Sequence, residues 1–299
     1  MLGIVVSRAD DASVAIGEQL RAVADWTVET DDDRPDADGG GTVYRTEGAV
    51  LREFDARHLN LVRPANAFGD VDLLAFASKH AGETGPLLTA HHTGNFGPAE
   101  FGGADGSLAR ACPNAQRVVF DALDEFAPEG YEVGLECTHH GPSEVGVPSM
   151  FVEVGSDEPQ WDDPAAARAV ARAILELGGV DADAPLENGA RRHLVGFGGG
   201  HYVPRFERVV RETYDDVVDT AVASTGRARD RAALAVRHAA HGRVLSRDQA
   251  RRYLAEQRVR DLAGSTRCVG ATEAVLSTYD VDDAFDVGAF AAAMRDRVR

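Results

Sequence analysis

Lysine is almost missing from this chain: Lys79 stands alone, and the other 30 of its 31 basic side chains are arginine. Acids outnumber bases 49 to 31, aspartate leads glutamate, and the formal charge is −18. Such a bias fits a salt-rich solvent, because at molar salt the Debye length falls to about 3 Å and a dense carboxylate surface repels itself little. The acidity therefore reports the solvent and says little about the partner. Cysteine is scarce too: Cys112, Cys137 and Cys268 have no paired spacing, which excludes a disulfide framework and a CxxC zinc site. Cys137 reads as a small buried hydrophobe. Long apolar runs are lacking, with none of the roughly 18 residues a bilayer crossing needs. The opening Met1-Leu2-Gly3-Ile4-Val5-Val6 enters a strand without a charged leader. The expectation is a cytoplasmic protein without membrane contact, folded as one α/β domain over residues 1–299.

What is present is histidine in three short stretches, each closing an apolar run. They are His91-His92-Thr93-Gly94-Asn95, Glu136-Cys137-Thr138-His139-His140-Gly141-Pro142 and Gly196-Phe197-Gly198-Gly199-Gly200-His201-Tyr202. In α/β sheets ligands gather beyond the carboxyl ends of the strands, so the three stretches are expected to converge on one crevice. Catalytic zinc takes three protein ligands and keeps one position for water. His91, His92, Glu136, His139, His140 and His201 offer more than enough donors. Adjacent histidines on an extended chain point to opposite sides, so one of each pair faces the crevice. The expected metal ligands are His92, His139 and His201.

The apolar runs and their punctuation predict strands at Gly3–Ser7, over Thr42–Leu61 as a pair, and at Val71–Ser78, Gly85–Ala90, Tyr131–Glu136, Met150–Val154 and His193–Gly196. Helices are expected over Ala12–Val23, Leu108–Phe126, from Pro164 to about Leu177 with Asp162 or Asp163 as cap, from Pro204, and over most of Arg227–Leu262. Asp31–Gly41, rich in acids and glycine, reads as a surface loop. Alternating strands and helices imply a mostly parallel or mixed central sheet with helices on both faces.

Two further features bear on substrate. Gly198-Gly199-Gly200 lies between a strand and the helix begun at Pro204, where backbone amides can cradle a phosphate or carboxylate, or let a ligand approach closely. Arg227–Arg267 holds eleven arginines and four acids, a local balance of +7 that leaves −25 for the rest. Its Arg251, Arg252 and Arg258 belong to the kind of basic stripe a polyanion such as RNA requires. A helix pair whose arginines answer acids elsewhere is the competing reading of that stripe. Lys79, kept in an arginine-based sequence beside His80, suits a phosphate anchor or an oxyanion stabiliser.

Taken together, Ser78-Lys79-His80, the three histidine blocks and their continuation Val203-Pro204-Arg205 resemble the archaeal and plant D-aminoacyl-tRNA deacylases of the second type, over about residues 70–205. The resemblance implies hydrolysis of the ester joining a D-amino acid to the 3′ end of tRNA, two zinc ions per chain, a monomer, and a fold like phosphorylases and peptidyl-tRNA hydrolases. On its motifs it adds Lys79, His80, Asn95, Glu136 and His140 as catalytic candidates, and Gly198, Gly199, Gly200 and Arg205 as substrate-binding ones. Asp31–Gly41 looks unlike the family and reads as a salt-adapted insertion. A peptidyl-tRNA hydrolase or zinc aminopeptidase, a phosphorylase-like nucleoside enzyme, and a non-catalytic tRNA-binding protein remain the competing readings.

Overall fold

A computed structural model describes residues 1–95, 98–183, 201–204 and 207, together with the backbone of 193–197, 219–224 and 270–271. Arg205, Gly198–Gly200 and the whole of Arg227–Arg267 lie outside the described residues, as does the helix expected there.

Eight strands form the main sheet: β1 (Leu2–Ser7), β2 (Thr27–Asp31), β3 (Gly41–Arg45), β4 (Ala49–Phe54), β5 (Leu73–Lys79), β6 (Leu87–His92), β7 (Glu132–Leu135) and β8 (Ser149–Gly155). Their order is β2-β3-β4-β1-β5-β8-β6-β7. β4, β1, β5 and β8 run parallel, whereas β6 pairs antiparallel with β8 and parallel with β7. The sheet is therefore mixed, as expected. A smaller sheet joins β9 (His193–Phe197), β10 (Asp219–Ser224) and β11 (Gly270–Ala271).

Helices α1 (Asp11–Val23), α2 (Pro113–Phe126) and α4 (Pro164–Leu175) pack against one another and on one face of the sheet, where Ile4, Val6, Ala75, Ala77, Ala90, Met150 and Val152 form the core with Ile16, Val119 and Val170. A one-turn helix α3 (Glu158–Trp161) leads into α4. Each start is chemically marked. Asp10 caps α1 by accepting from the Ser13 amide at 3.0 Å, and Asp163 caps α4 by accepting from the Ala165 amide at 2.8 Å with Pro164 following it. The opposite face carries a second core of Val5, Leu74, Phe76 and Phe151. It is covered by loops and the short 3-10 turns His58–Asn60 and Pro64–Ala67. Among the described residues, then, the longer helices share one face, and the expectation of helices on both is met only by turns on the other. With no long helix laid across it, that side leaves room for a polar site on the sheet itself.

Several boundaries move. The helix expected from Leu108 starts at Pro113, since Leu108 bridges to Gly94 and the residue before a proline is driven out of helical geometry. The second strand of the expected pair ends at Phe54, short of Leu61. Thr27–Asp31, where no strand was expected, is an edge strand whose mostly exposed side chains carry no burial pattern to betray it. The acidic loop after it is not loosely solvated. Arg8 binds Asp36 at 2.9 Å and Asp55 at 2.7 Å, and buried Arg52 reaches Asp31 at 2.7 Å and the Gly39 carbonyl at 2.6 Å.

Candidate metal centre

The register of β6 against β8 builds the site. His91 pairs with Phe151, and Thr89 pairs with Glu153. Alternation puts Ser149, Phe151 and Glu153 of β8, with Thr89 and His91 of β6, on the face away from the long helices. Beside them β5 ends at Lys79, paired with Val154, so that His80 follows on the same face, and β7 runs straight into Glu136. The His201 carbonyl accepts from the Cys137 amide at 2.9 Å, which brings the third histidine stretch alongside the second. The three stretches do converge. They meet across the face of the sheet along β8, not beyond a common set of strand ends, because β6 runs antiparallel to β8.

Two buried carboxylates organise the cluster. Glu136 Oε2 lies 2.6 Å from His201 Nε2 and 3.8 Å from His139 Nε2, while Oε1 lies 3.1 Å from His80 Nδ1 and accepts from the Thr89 hydroxyl. Glu153 lies 3.6 Å from His91 Nε2, 3.7 Å from His80 Nδ1 and 3.9 Å from His140 Nε2. Burial works to raise both carboxyl pKa values, yet the facing histidines win: Glu136 is held well below its ordinary value and Glu153 at about 2. Burial likewise opposes the charge on His80, but Glu136 and Glu153 outweigh it and raise its pKa to about 11. Its other nitrogen sits 3.0 Å from the Tyr202 hydroxyl. His139 and His140 go the other way. Burial and neighbouring imidazoles hold His139 well below its ordinary value and His140 at about 4.

Three of the histidines are also oriented. His139 Nδ1 lies 2.7 Å from the Cys137 carbonyl, His140 Nδ1 lies 3.1 Å from the Gly141 carbonyl, and His91 Nδ1 lies 2.8 Å from the His92 carbonyl. An Nδ1–H donated to a carbonyl leaves the Nε2 lone pair free, the arrangement that metal-binding histidines use. In all three cases Nε2 turns into the cluster. His91 Nε2 and Glu153 Oε1 are buried without a hydrogen-bond partner, a costly state that a cation would relieve. Among the described residues, donor atoms within 4.8 Å of one another occur in four sets: His91, His139 and His140; Cys137, His139 and His201; His80, Glu136 and His201; and His91, Glu136 and Glu153. Nitrogen and carboxylate oxygen in threes are what zinc takes, so the residues fit the ion.

Most of the expected residues gather here, and some do not. His80, Glu136, His139, His140 and His201 are in the cluster. His92 is not: its side of β6 faces the helices, it is buried with both ring nitrogens unpartnered, and burial pushes its pKa down to about 3. The strand alternation selects His91 in its place. Asn95 holds a neighbouring loop, its amide donating to the Gly102 carbonyl at 2.8 Å. Lys79 reaches the rim, its ammonium 4.5 Å from the Trp161 ring centre. Glu153 went unnoticed in the sequence, although a lone acid in Met150-Phe151-Val152-Glu153-Val154 is the mark of a carboxylate forced into a core. Cys137 is buried as expected and has its sulfur 3.9 Å from His201 Nδ1. The cluster opens into a cleft of about 360 Å³, also lined by Asp10, Arg57, His58, Ser78, Lys79 and Phe101.

The sequence profile of D-aminoacyl-tRNA deacylases matches residues 67–255, more than half of the chain and every element of this cluster. The chain belongs to the D-aminoacyl-tRNA deacylase family. A D-aminoacyl-tRNA deacylase of Haloarcula marismortui is 67% identical over 213 residues, covering 71% of this chain and 47% of that protein. One from Halorubrum lacusprofundi is 57% identical, covering 71% and 49%. The chain thus spans about half the length of the curated deacylases it matches. A crystal structure described as a conserved protein of unknown function shares the fold, with 31% identity and a TM-score of 0.60 over 70% of this chain and 72% of that one. Among the described residues no helix is long and apolar enough to cross a membrane.

Proposed function

We propose that this deacylase-family chain hydrolyses the ester of D-aminoacyl-tRNA, releasing D-amino acid and tRNA, as a cytoplasmic monomer. The observation that carries the reading is the set of imidazoles on His91, His139 and His140, each with Nδ1 on a backbone carbonyl and Nε2 aimed at Glu136 or Glu153. That set would hold one zinc ion, and Glu136 with His201 would hold a second. Zinc bound there supplies Lewis acidity and an activated water at neutral pH. The chain's own groups do the rest. Glu136 and Glu153, ionised at any physiological pH, fix the positions of the histidines around them. His80 keeps its proton at neutral pH and can hand it from Nε2 toward the departing ribose oxygen at the mouth of the cleft. Lys79, at the rim, adds a fixed positive charge for the oxyanion or a nearby phosphate. Gly198, Gly199, Gly200 and Arg205 are candidate substrate contacts. Arg251, Arg252 and Arg258 would receive the acceptor arm of the tRNA.

Incubation with D-tyrosyl-tRNA, L-tyrosyl-tRNA and N-acetyl-aminoacyl-tRNA tests the reading. The D-ester alone should be cleaved, chelation should abolish the reaction, and added zinc should restore it. Cleavage of the N-acetyl substrate in preference to the D-ester would make the chain a peptidyl-tRNA hydrolase instead.

A further inference from the structure

We propose that Phe101 and Arg57 form a subsite on the rim of the cleft for the 3′-terminal nucleotide of an RNA chain, Phe101 stacking on the base and Arg57 meeting its phosphate. Phe101 is 59% exposed, and of the large hydrophobic side chains left so open only it lines the cleft. That exposure is built into the loop. The Phe101 carbonyl accepts from the Gly141 amide at 3.1 Å, next to His140, and the carbonyl of Gly102 accepts from the buried Asn95 amide. Gly102 has φ +72°, and a side chain there would strike the Leu59 carbonyl, so only glycine lets the loop close this tightly. A ring fixed outward on a rigid loop is the form of a stacking platform, and any base can occupy it.

The charge pattern gives the direction. Arg8, Arg21 and Arg52 are tied to carboxylates, whereas Arg57 is exposed on the cleft and makes no ion pair among the described residues. Arg34, Arg168 and Arg172 likewise make no ion pair among the described residues, but of these four arginines only Arg57 lines the cleft. Arg57 sets the positive charge at the rim, so a nucleotide ester enters with its acyl group toward the histidines and its phosphate at the rim. One phenylalanine is far too little surface for a protein partner, which needs roughly 800 Å² a side.

This subsite rests on the reading of the cleft as an RNA-ester site, and binding separates the two. The probe is the trinucleotide CCA, titrated across a salt series into the wild-type chain and into Phe101→Ala, Phe101→Tyr and Arg57→Ala. Phe101→Ala should weaken binding about tenfold or more, with Phe101→Tyr near wild type. Arg57→Ala should lower the slope of log affinity against log salt by about 0.7. No binding by the wild type, or equal affinity for Phe101→Ala, overturns the subsite, as does failure of tyrosine to restore what alanine removes. If CCA binding depends on Phe101 while D-tyrosyl-tRNA stays intact, the deacylase reading falls and the subsite stands. If Phe101→Ala cleaves D-tyrosyl-tRNA with unchanged KM, the subsite falls and the deacylase reading stands.

Discussion

His91 and His92 differ only in which side of β6 they occupy, and the consequences are opposite. His91 shares its face with Glu153 and aims Nε2 into the cluster, whereas His92 is buried toward α2. Replacing His91 by alanine should therefore lower kcat/KM well over tenfold and reduce bound zinc, read by single-turnover kinetics and elemental analysis. His92→Ala should leave zinc stoichiometry intact and act through stability. Glu153→Gln keeps the volume but removes the charge that His80 and His91 answer. It should lower the pKa of His80 from about 11, which histidine NMR titration would show. His58, edge-on to the stacked rings of Phe76 and Phe151, has its pKa pushed down by burial, partly offset by Asp10. A base depressed in the folded state binds its proton more readily when unfolded, so stability falls as pH drops through the ordinary 6.5. In His58→Gln, urea unfolding across that range should show a smaller loss than in wild type.

At the scale of elements, the reversed β6 is what makes the site. A wholly parallel sheet would put the histidines of β6 and the end of β5 at one edge. Instead β6 lays His91 beside the start of β8 while His80 comes in at its end, so the ligands spread along one strand. Pattern alone marked the strands, since Val71–Ser78 and Gly85–Ala90 are continuous apolar runs, but direction leaves no trace in such runs. The same limit explains the choice of His92: alternation says that one of two histidines faces the site, and only the partner strand says which. Glu153 was legible in principle as an acid inside an apolar strand. The edge strand β2 was not, because its mostly exposed side chains show no alternation. The loop after it is held by Arg52, whose removal strands the Gly39 carbonyl and should cost about 1.5–3 kcal/mol. Urea unfolding of Arg52→Met with an unchanged m-value checks this.

For the molecule as a whole, the −18 charge and the near absence of lysine agree with its relatives in Haloarcula marismortui and Halorubrum lacusprofundi. Surface carboxylates interact over about 10 Å at 0.1 M salt and only about 3 Å at 1 M. The melting temperature should therefore rise steadily over that range, and a flat profile would contradict a salt-adapted surface. The Arg227–Arg267 stripe predicts a second salt effect. Reversing Arg251, Arg252 and Arg258 to glutamate should weaken tRNA binding and flatten its salt slope while single-turnover chemistry holds. If the histidine and glutamate cluster holds zinc through His91, the ion should follow that residue and not His92. Zinc per chain, measured on untagged protein after exhaustive dialysis, decides it. Bound zinc is expected in wild type and His92→Ala, with a clear loss in His91→Ala. Equal zinc in wild type and His91→Ala, or none in wild type supplied with the ion, would contradict it.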